Sequence, residues 1–131
     1  MENKTARSIM HRPEVALRRL MAIDKVSAHL IKHQLPGAPV VNKAGELIGY
    51  VSEFDCLEHL MQSSYYSDNS ARVEDVMSTK LIMSRPDIQL IDLASTMNAS
   101  KVNVMPIVEN GKLIGVVSRR DVMQELIKNI K

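Results

Sequence analysis

The sequence predicts an α/β (α+β) fold in which one strand–helix–strand–strand–helix unit is built twice. Three observations predict it. Residues 45–55, GELIGYVSEFD, return as residues 111–121, GKLIGVVSRRD. Short runs rich in Val and Ile alternate with longer stretches whose apolar residues recur at helical spacing. Glycine turn signals stand between the paired runs.

The repeat extends well beyond those eleven residues. At an offset of 67, Ile9-Met10 falls on Val76-Met77, Ile23 and Val26 on Leu90 and Leu93, Leu30 on Met97, and Pro39-Val40-Val41 on Pro106-Ile107-Val108. The offset then drops to 66, and Gly45 falls on Gly111. From Pro106 to Asp121, nine of sixteen aligned positions are identical on a diagonal that the flanking apolar pattern shares, so the match is not coincidence. The lost residue lies in a turn. Asn110-Gly111 between two apolar runs is a two-residue hairpin signal, because both turn residues need positive φ; VNKAGEL offers one residue more and predicts a three-residue hairpin with Gly45 left-handed.

The elements follow in order. An extended piece is expected over EVAL, 14–17, and a clearer one over LIMS, 81–84. Ile23, Val26 and Leu30 predict a helix over 23–34; Leu90, Leu93, Ala94 and Met97 predict one over 90–100. Strands are expected at 38–42 and 46–51, and again at 104–108 and 112–117. A second helix starts after each serine of the repeat. Its apolar stripe is Leu57, Leu60 and Met61 in the first copy, and Val122, Met123, Leu126, Ile127 and Ile130 in the second. The copies are expected at 1–62 and 73–131, with 63–72, polar and small, as the linker.

Composition bounds the function. At 131 residues the chain is one ordinary domain or two small units sharing a core. With one Phe, three Tyr and no Trp, the nine Met and the aliphatic residues must fill the interior. A net charge of +2 gives no strong pull toward nucleic acid or membrane. No apolar run reaches spanning length, MENKTARSIMHRPE lacks the apolar stretch of a secretory signal, and Cys56 is alone; a cytoplasmic home is expected. Cys56 reads as a small core residue, and with no catalytic constellation or Gly-rich phosphate loop an enzyme is not expected. His29 and His33 share a helix face without a third ligand, beside Lys25 and Lys32, so no metal site is expected. His11 and His59 have no local partners. Tyr65-Tyr66 can stack on a base or a partner, or simply pack; Arg12, Arg18 and Arg19 read as a solvated face.

PVV…GELIGYVSEFD and PIV…GKLIGVVSRRD each resemble a CBS domain, and residues 7–130 as a whole resemble a stand-alone tandem CBS pair. The resemblance implies two β-α-β-β-α repeats packed about a pseudo-twofold axis, with two clefts. It implies that the clefts take an adenosine-containing regulatory ligand (AMP, ADP, ATP or S-adenosylmethionine), that no cofactor is required, and that the chain is a homodimer acting in regulation rather than catalysis.

Ser52-x-x-Asp55 and Ser118-x-x-Asp121 open helices, and such a pattern is first of all close to a capping box. A helix start also presents free N–H groups that favour phosphate. An Asp there can accept from both ribose hydroxyls, bonds of about 1.5–3 kcal/mol each when charge-assisted. The resemblance assigns ribose and phosphate contacts to Ser52, Asp55, Ser118 and Asp121. It places an adenine between Val15, Ala16, Ala38 and Pro39 in one half, and between Ile82, Met83, Met105 and Pro106 in the other; all eight serve equally as core. Arg119 and Arg120 oppose the helix dipole by roughly 0.3–1 kcal/mol, a cost that a bound phosphate reverses. The first copy has Glu53 and Phe54 there: Glu53 repels phosphate, and Phe54 can cover a base or pack. The second site is therefore expected to be the better anion site, helped by Arg85 or Lys101, unless the two arginines form surface ion pairs. Two further readings stay open: an interaction module with empty clefts and, ranked last, a nucleic-acid binder. The sequence names no downstream protein.

Overall fold

In the computed structural model, residues 4–66 and 70–130 are described, Tyr66 by its backbone alone. The elements are α1 (Ala6–Ile9), α2 (Ile23–His33), β1 (Gly37–Val41), β2 (Leu47–Ser52), α3 (Glu53–Tyr66), α4 (Val73–Val76), α5 (Leu90–Ser100), β3 (Val104–Glu109), β4 (Lys112–Ser118) and α6 (Arg119–Lys128). They form two compact units. The first unit is Pro13–Leu81; the second consists of the described residues of 1–12 and 82–131.

Each unit is built around an antiparallel hairpin, β1–β2 in the first and β3–β4 in the second, with a register shift at the same place: Val40/Val41 and Ile107/Val108. Both hairpin tips take the expected form. Asn110 and Gly111 have φ of 53° and 80°, and Gly45 has φ of 83° in the longer loop, across which the Asn42 N–H donates to the Glu46 carbonyl at 3.0 Å. The expected extended pieces at 14–17 and 81–84 reduce to one residue each. Leu17 and Ser84 lie parallel beside β1 and β3. The Leu17 N–H donates to the Pro39 carbonyl, and the Leu17 carbonyl accepts from Val41 N–H, both at 2.9 Å. Ser84 repeats this with Pro106 and Val108.

The stripes of α2 and α5 face their cores as the spacing predicts, whereas those of the second helices do so only in part: on α6 Val122 is buried and Leu126 packs against the core, but Met123, Ile127 and Ile130 are exposed, as are Leu57 and Met61 on α3. In the first unit Ile23, Val26 and Leu30 of α2 pack with Leu17, Ala38, Val40, Val51, Cys56 and Val73. In the second, Leu90, Leu93 and Met97 of α5 pack with Ala6, Met105, Ile107, Val117 and Val122. Cys56 is thus the core residue expected. α3 continues through Ser63, Ser64 and Tyr66, where a linker reads from the sequence; the Ser63 hydroxyl meets Nε2 of His59 one turn back at 3.0 Å. Residues 67–69 of that linker lie outside the described residues.

Compact units and sequence copies divide the chain differently. Residues 6–12 open the first copy, yet Ala6 is fully buried in the second unit's core, and His11 exchanges two backbone hydrogen bonds with Val116 of β4 (3.1 and 2.9 Å). Residues 73–78 open the second copy, yet Val73 is fully buried in the first unit's core, and Ser78 exchanges the same two bonds with Tyr50 of β2 (3.0 and 2.9 Å). One glycine in each hairpin makes room for the exchanged segment. A Cβ on Gly49 would meet Met77 Sδ at 2.5 Å and the Ser78 carbonyl at 3.2 Å; one on Gly115 would meet Met10 Sδ at 2.9 Å and the His11 carbonyl at 3.2 Å.

Candidate functional site

Each second strand delivers its serine to the start of a helix. In the second unit Ser118 is the N-cap of α6: its Oγ accepts from the Asp121 N–H at 3.0 Å, and Asp121 Oδ2 accepts from the Ser118 N–H at 2.8 Å. In the first, Ser52 Oγ accepts from the Asp55 N–H at 3.1 Å, and Asp55 Oδ2 accepts from the Ser52 N–H at 2.9 Å. The capping reading is therefore correct at both places, with Asp doing what Glu does in the usual box. Capping engages Oδ2 of each carboxylate. Both Asp residues remain partly exposed. At each helix start most N–H groups are already engaged: those of Glu53 and Arg119 donate to the Pro36 and Asn103 carbonyls at 2.8 Å, and those of Asp55 and Asp121 donate to the capping hydroxyls.

Around this shared frame the units differ. Arg119 and Arg120 are exposed on the first turn of α6, and among the described residues neither makes an ion pair. Among the described residues the surface pairs that would occupy them are not found. His11, carried in by the exchanged segment, places Nε2 at 2.9 Å from Asp121 Oδ2. In the first unit the helix start has Glu53 and Phe54, both exposed, and no cation. Tyr50 lies two residues before Ser52, against Gly37, where a Cβ would come within 2.6 Å of the phenol oxygen. Burial pushes the Tyr50 phenol up to about 12, and the negative charges of Asp55 and Glu53 push the same way. Burial likewise raises the Cys56 thiol, opposed by a hydrogen bond from Ser27, so this cysteine is a poor nucleophile.

The adenine-wall residues fall into two groups. Ala38 and Met105 are fully buried, Val15 nearly so, and Pro39 and Pro106 are buried in their strands; these five are core as they stand. Ala16 is exposed, and Ile82 and Met83 are 38% and 46% exposed, so those three present surface. Of the suggested helpers, Arg85 pairs with Asp87 at 3.2 Å, and Lys101 Nζ reaches only Asn98 Oδ1 at 3.4 Å. Arg19 pairs with Glu74 at 2.9 Å, and His33 Nδ1 lies 3.5 Å from Glu14. Among the described residues no three His, Cys, Asp or Glu side chains converge as metal ligands, and no helix is long and apolar enough to cross a membrane.

Sequence reasoning missed His11 and Tyr50. His11 stands 110 residues from its partner, and no local pattern marks it. Tyr50 faces Val116 in the repeat, and that mismatch was the available signal.

The chain is similar to known proteins over nearly its whole length. It is 28% identical to the uncharacterised protein MJ1426 of Methanocaldococcus jannaschii, over 92% of this chain and 90% of that one. It is 27% identical to MJ1225 of the same organism over 95% of this chain, although it spans only 43% of that longer protein. Among solved structures, CBSX2 of Arabidopsis thaliana in complex with AMP superposes with a TM-score of 0.82 at 24% identity, covering 95% of this chain and 97% of that one. The CBS domain pair of MJ0100, in complex with 5′-methylthioadenosine and S-adenosyl-L-methionine, superposes at 0.83 with 21% identity, covering 98% and 100%. These likenesses are likenesses of fold. The family model for the CBS domain matches residues 6–62 and again 73–128, and the chain belongs to the CBS domain family as a tandem pair.

Proposed function

We propose that the chain is a regulatory module that senses an adenosine-containing nucleotide and passes its occupancy to a partner protein. The observation that carries this reading is the twice-built Ser-x-x-Asp helix start, each with a partly exposed carboxylate. Asp55 and Asp121 grip ribose hydroxyls; Ser52 and Ser118 hold the helix start and meet a phosphate or ribose oxygen. The unpaired Arg119 and Arg120 make the second site the one that favours phosphate, while Glu53 disfavours it in the first. Similar folds solved with AMP, and with 5′-methylthioadenosine and S-adenosyl-L-methionine, support the ligand class. Regulation requires that the ligand bind one state of the module better than another.

Thermal shift and calorimetry with AMP, ADP, ATP and S-adenosylmethionine test the proposal. Saturable stabilisation is expected with at least one of them. Asp121→Ala is expected to weaken nucleotide binding by about tenfold or more, and Asp55→Ala by less. The assignment fails if Asp121→Ala leaves affinity intact while Asp55→Ala abolishes it.

A second reading has its own observation. Phe54, Leu57, Met61 and Tyr65 are 77%, 53%, 64% and 81% exposed along α3, and Met123 and Ile127 are 52% and 63% exposed on α6. Such stripes suit an interaction module that dimerises or docks without any ligand. Flat melting with all four ligands, together with a dimer in solution, favours it.

A further inference from the structure

We propose that His11 is a latch on Asp121, which a diol-bearing ligand must release, and that it therefore sets the specificity of the second unit's site. The proposal rests on reading Asp121 as the ribose-binding group. A carboxylate that takes both hydroxyls of a vicinal diol offers both of its oxygens. Oδ2 of Asp121 already accepts from the Ser118 N–H at 2.8 Å and meets His11 Nε2 at 2.9 Å. The first of these caps the helix and persists. The second is the contact that stands in the diol's way.

The imidazole is held at both ends. Its Nδ1 is 2.9 Å from the Arg12 carbonyl oxygen. Both ring nitrogens are thereby engaged, and Nε2 is the one that occupies Asp121. The groups facing the ring are few. From α6 comes Asp121, with Arg119 and Arg120 as cations on the same turn; from β4 comes Val116, paired through its backbone; from its own segment comes the Arg12 carbonyl. In the first unit Ser78 occupies the place of His11, so Asp55 carries no such latch.

Adenosine is the probe of choice, because it has the diol and stays uncharged from pH 5.5 to 8. Its affinity is measured by calorimetry on the full chain carrying Asp55→Asn, so that the second site alone reports. His11→Asn keeps a donor for the Arg12 carbonyl but cannot reach Asp121. With His11→Asn, adenosine is expected to bind about two- to fivefold tighter than with His11 intact, the range set by a partly exposed pair. The latch is overturned if His11→Asn leaves the affinity unchanged, or weakens binding, while Asp121→Asn abolishes it; the ribose reading then stands. If Asp121→Asn leaves adenosine affinity unchanged, the ribose reading falls and the latch falls with it.

Discussion

The two units carry the same frame and surround it with opposite chemistry. Ser52–Asp55 and Ser118–Asp121 make the same pair of reciprocal hydrogen bonds, within 0.1 Å of each other. One frame then meets Glu53, Phe54 and the half-buried phenol of Tyr50; the other meets Arg119, Arg120 and His11. Duplication copies what capping and packing demand. The residues free to diverge are those that neither cap nor fill the core, and these decide what a helix start attracts. A conserved frame is thus no evidence that two sites of one chain take the same ligand.

The comparison can be broken at the core. Ile23 and Leu90 are counterparts, 0% and 2% exposed. Ile23→Ala and Leu90→Ala are each expected to cost about 2–5 kcal/mol, read by denaturant melting. Costs that differ by more than this spread would mean that the two cores are not equivalent.

A smaller effect is expected at the glycines that admit the exchanged segments. Gly49→Ala and Gly115→Ala should each cost about 1–3 kcal/mol, because a backbone carbonyl lies 3.2 Å from the added Cβ in both. Gly115→Ala should also disturb the His11 ring resonances by NMR, since it pushes on the segment that carries them. If those resonances stay put, the carbonyl contact is softer than it looks.

The smallest effect separates the units by pH. Tyr50 in the folded chain holds its proton up to about 12, against an ordinary value of 10. Above pH 10 the unfolded chain loses that proton and the folded chain keeps it. The associated stability is therefore intact below pH 10 and is lost as pH climbs toward 12, by about 1 kcal/mol near pH 11. Tyr50→Phe should remove this part of the alkaline decline in melting temperature. Val116 at the matching position has no proton to lose. An unchanged decline in Tyr50→Phe would place its origin elsewhere.

Much of this was legible in the sequence, and the failures have physical causes. Asn110-Gly111 and Gly45 announced both hairpins because positive φ has few tenants, and the angles agree. The stripes of α2 and α5 were legible because burial imposes a period of 3.6 residues on them; those of α3 and α6 misled, because Leu57, Met61, Met123 and Ile127 recur at helical spacing yet are exposed. The four-residue helices α1 and α4 were not, since one turn shows no period. The Ser-x-x-Asp frame could be read as a cap, and it is one. The exchange of opening segments was illegible for a different reason: an internal alignment pairs residues by ancestry, and ancestry is silent about which core a segment enters. His11 was hidden by the same step, since only the exchange brings it to Asp121.

That exchange limits how this protein can be taken apart. A gene fragment ending after the first copy would encode a hairpin whose Gly49 groove has lost Met77 and Ser78, and whose interior lacks Val73. It would also carry Ala6 and Met10 with nothing to bury them. A single repeat on its own would have to close on its own opening turn, or on that of a second molecule. In this chain each repeat depends on the other's first dozen residues, so separating them would require both to refold.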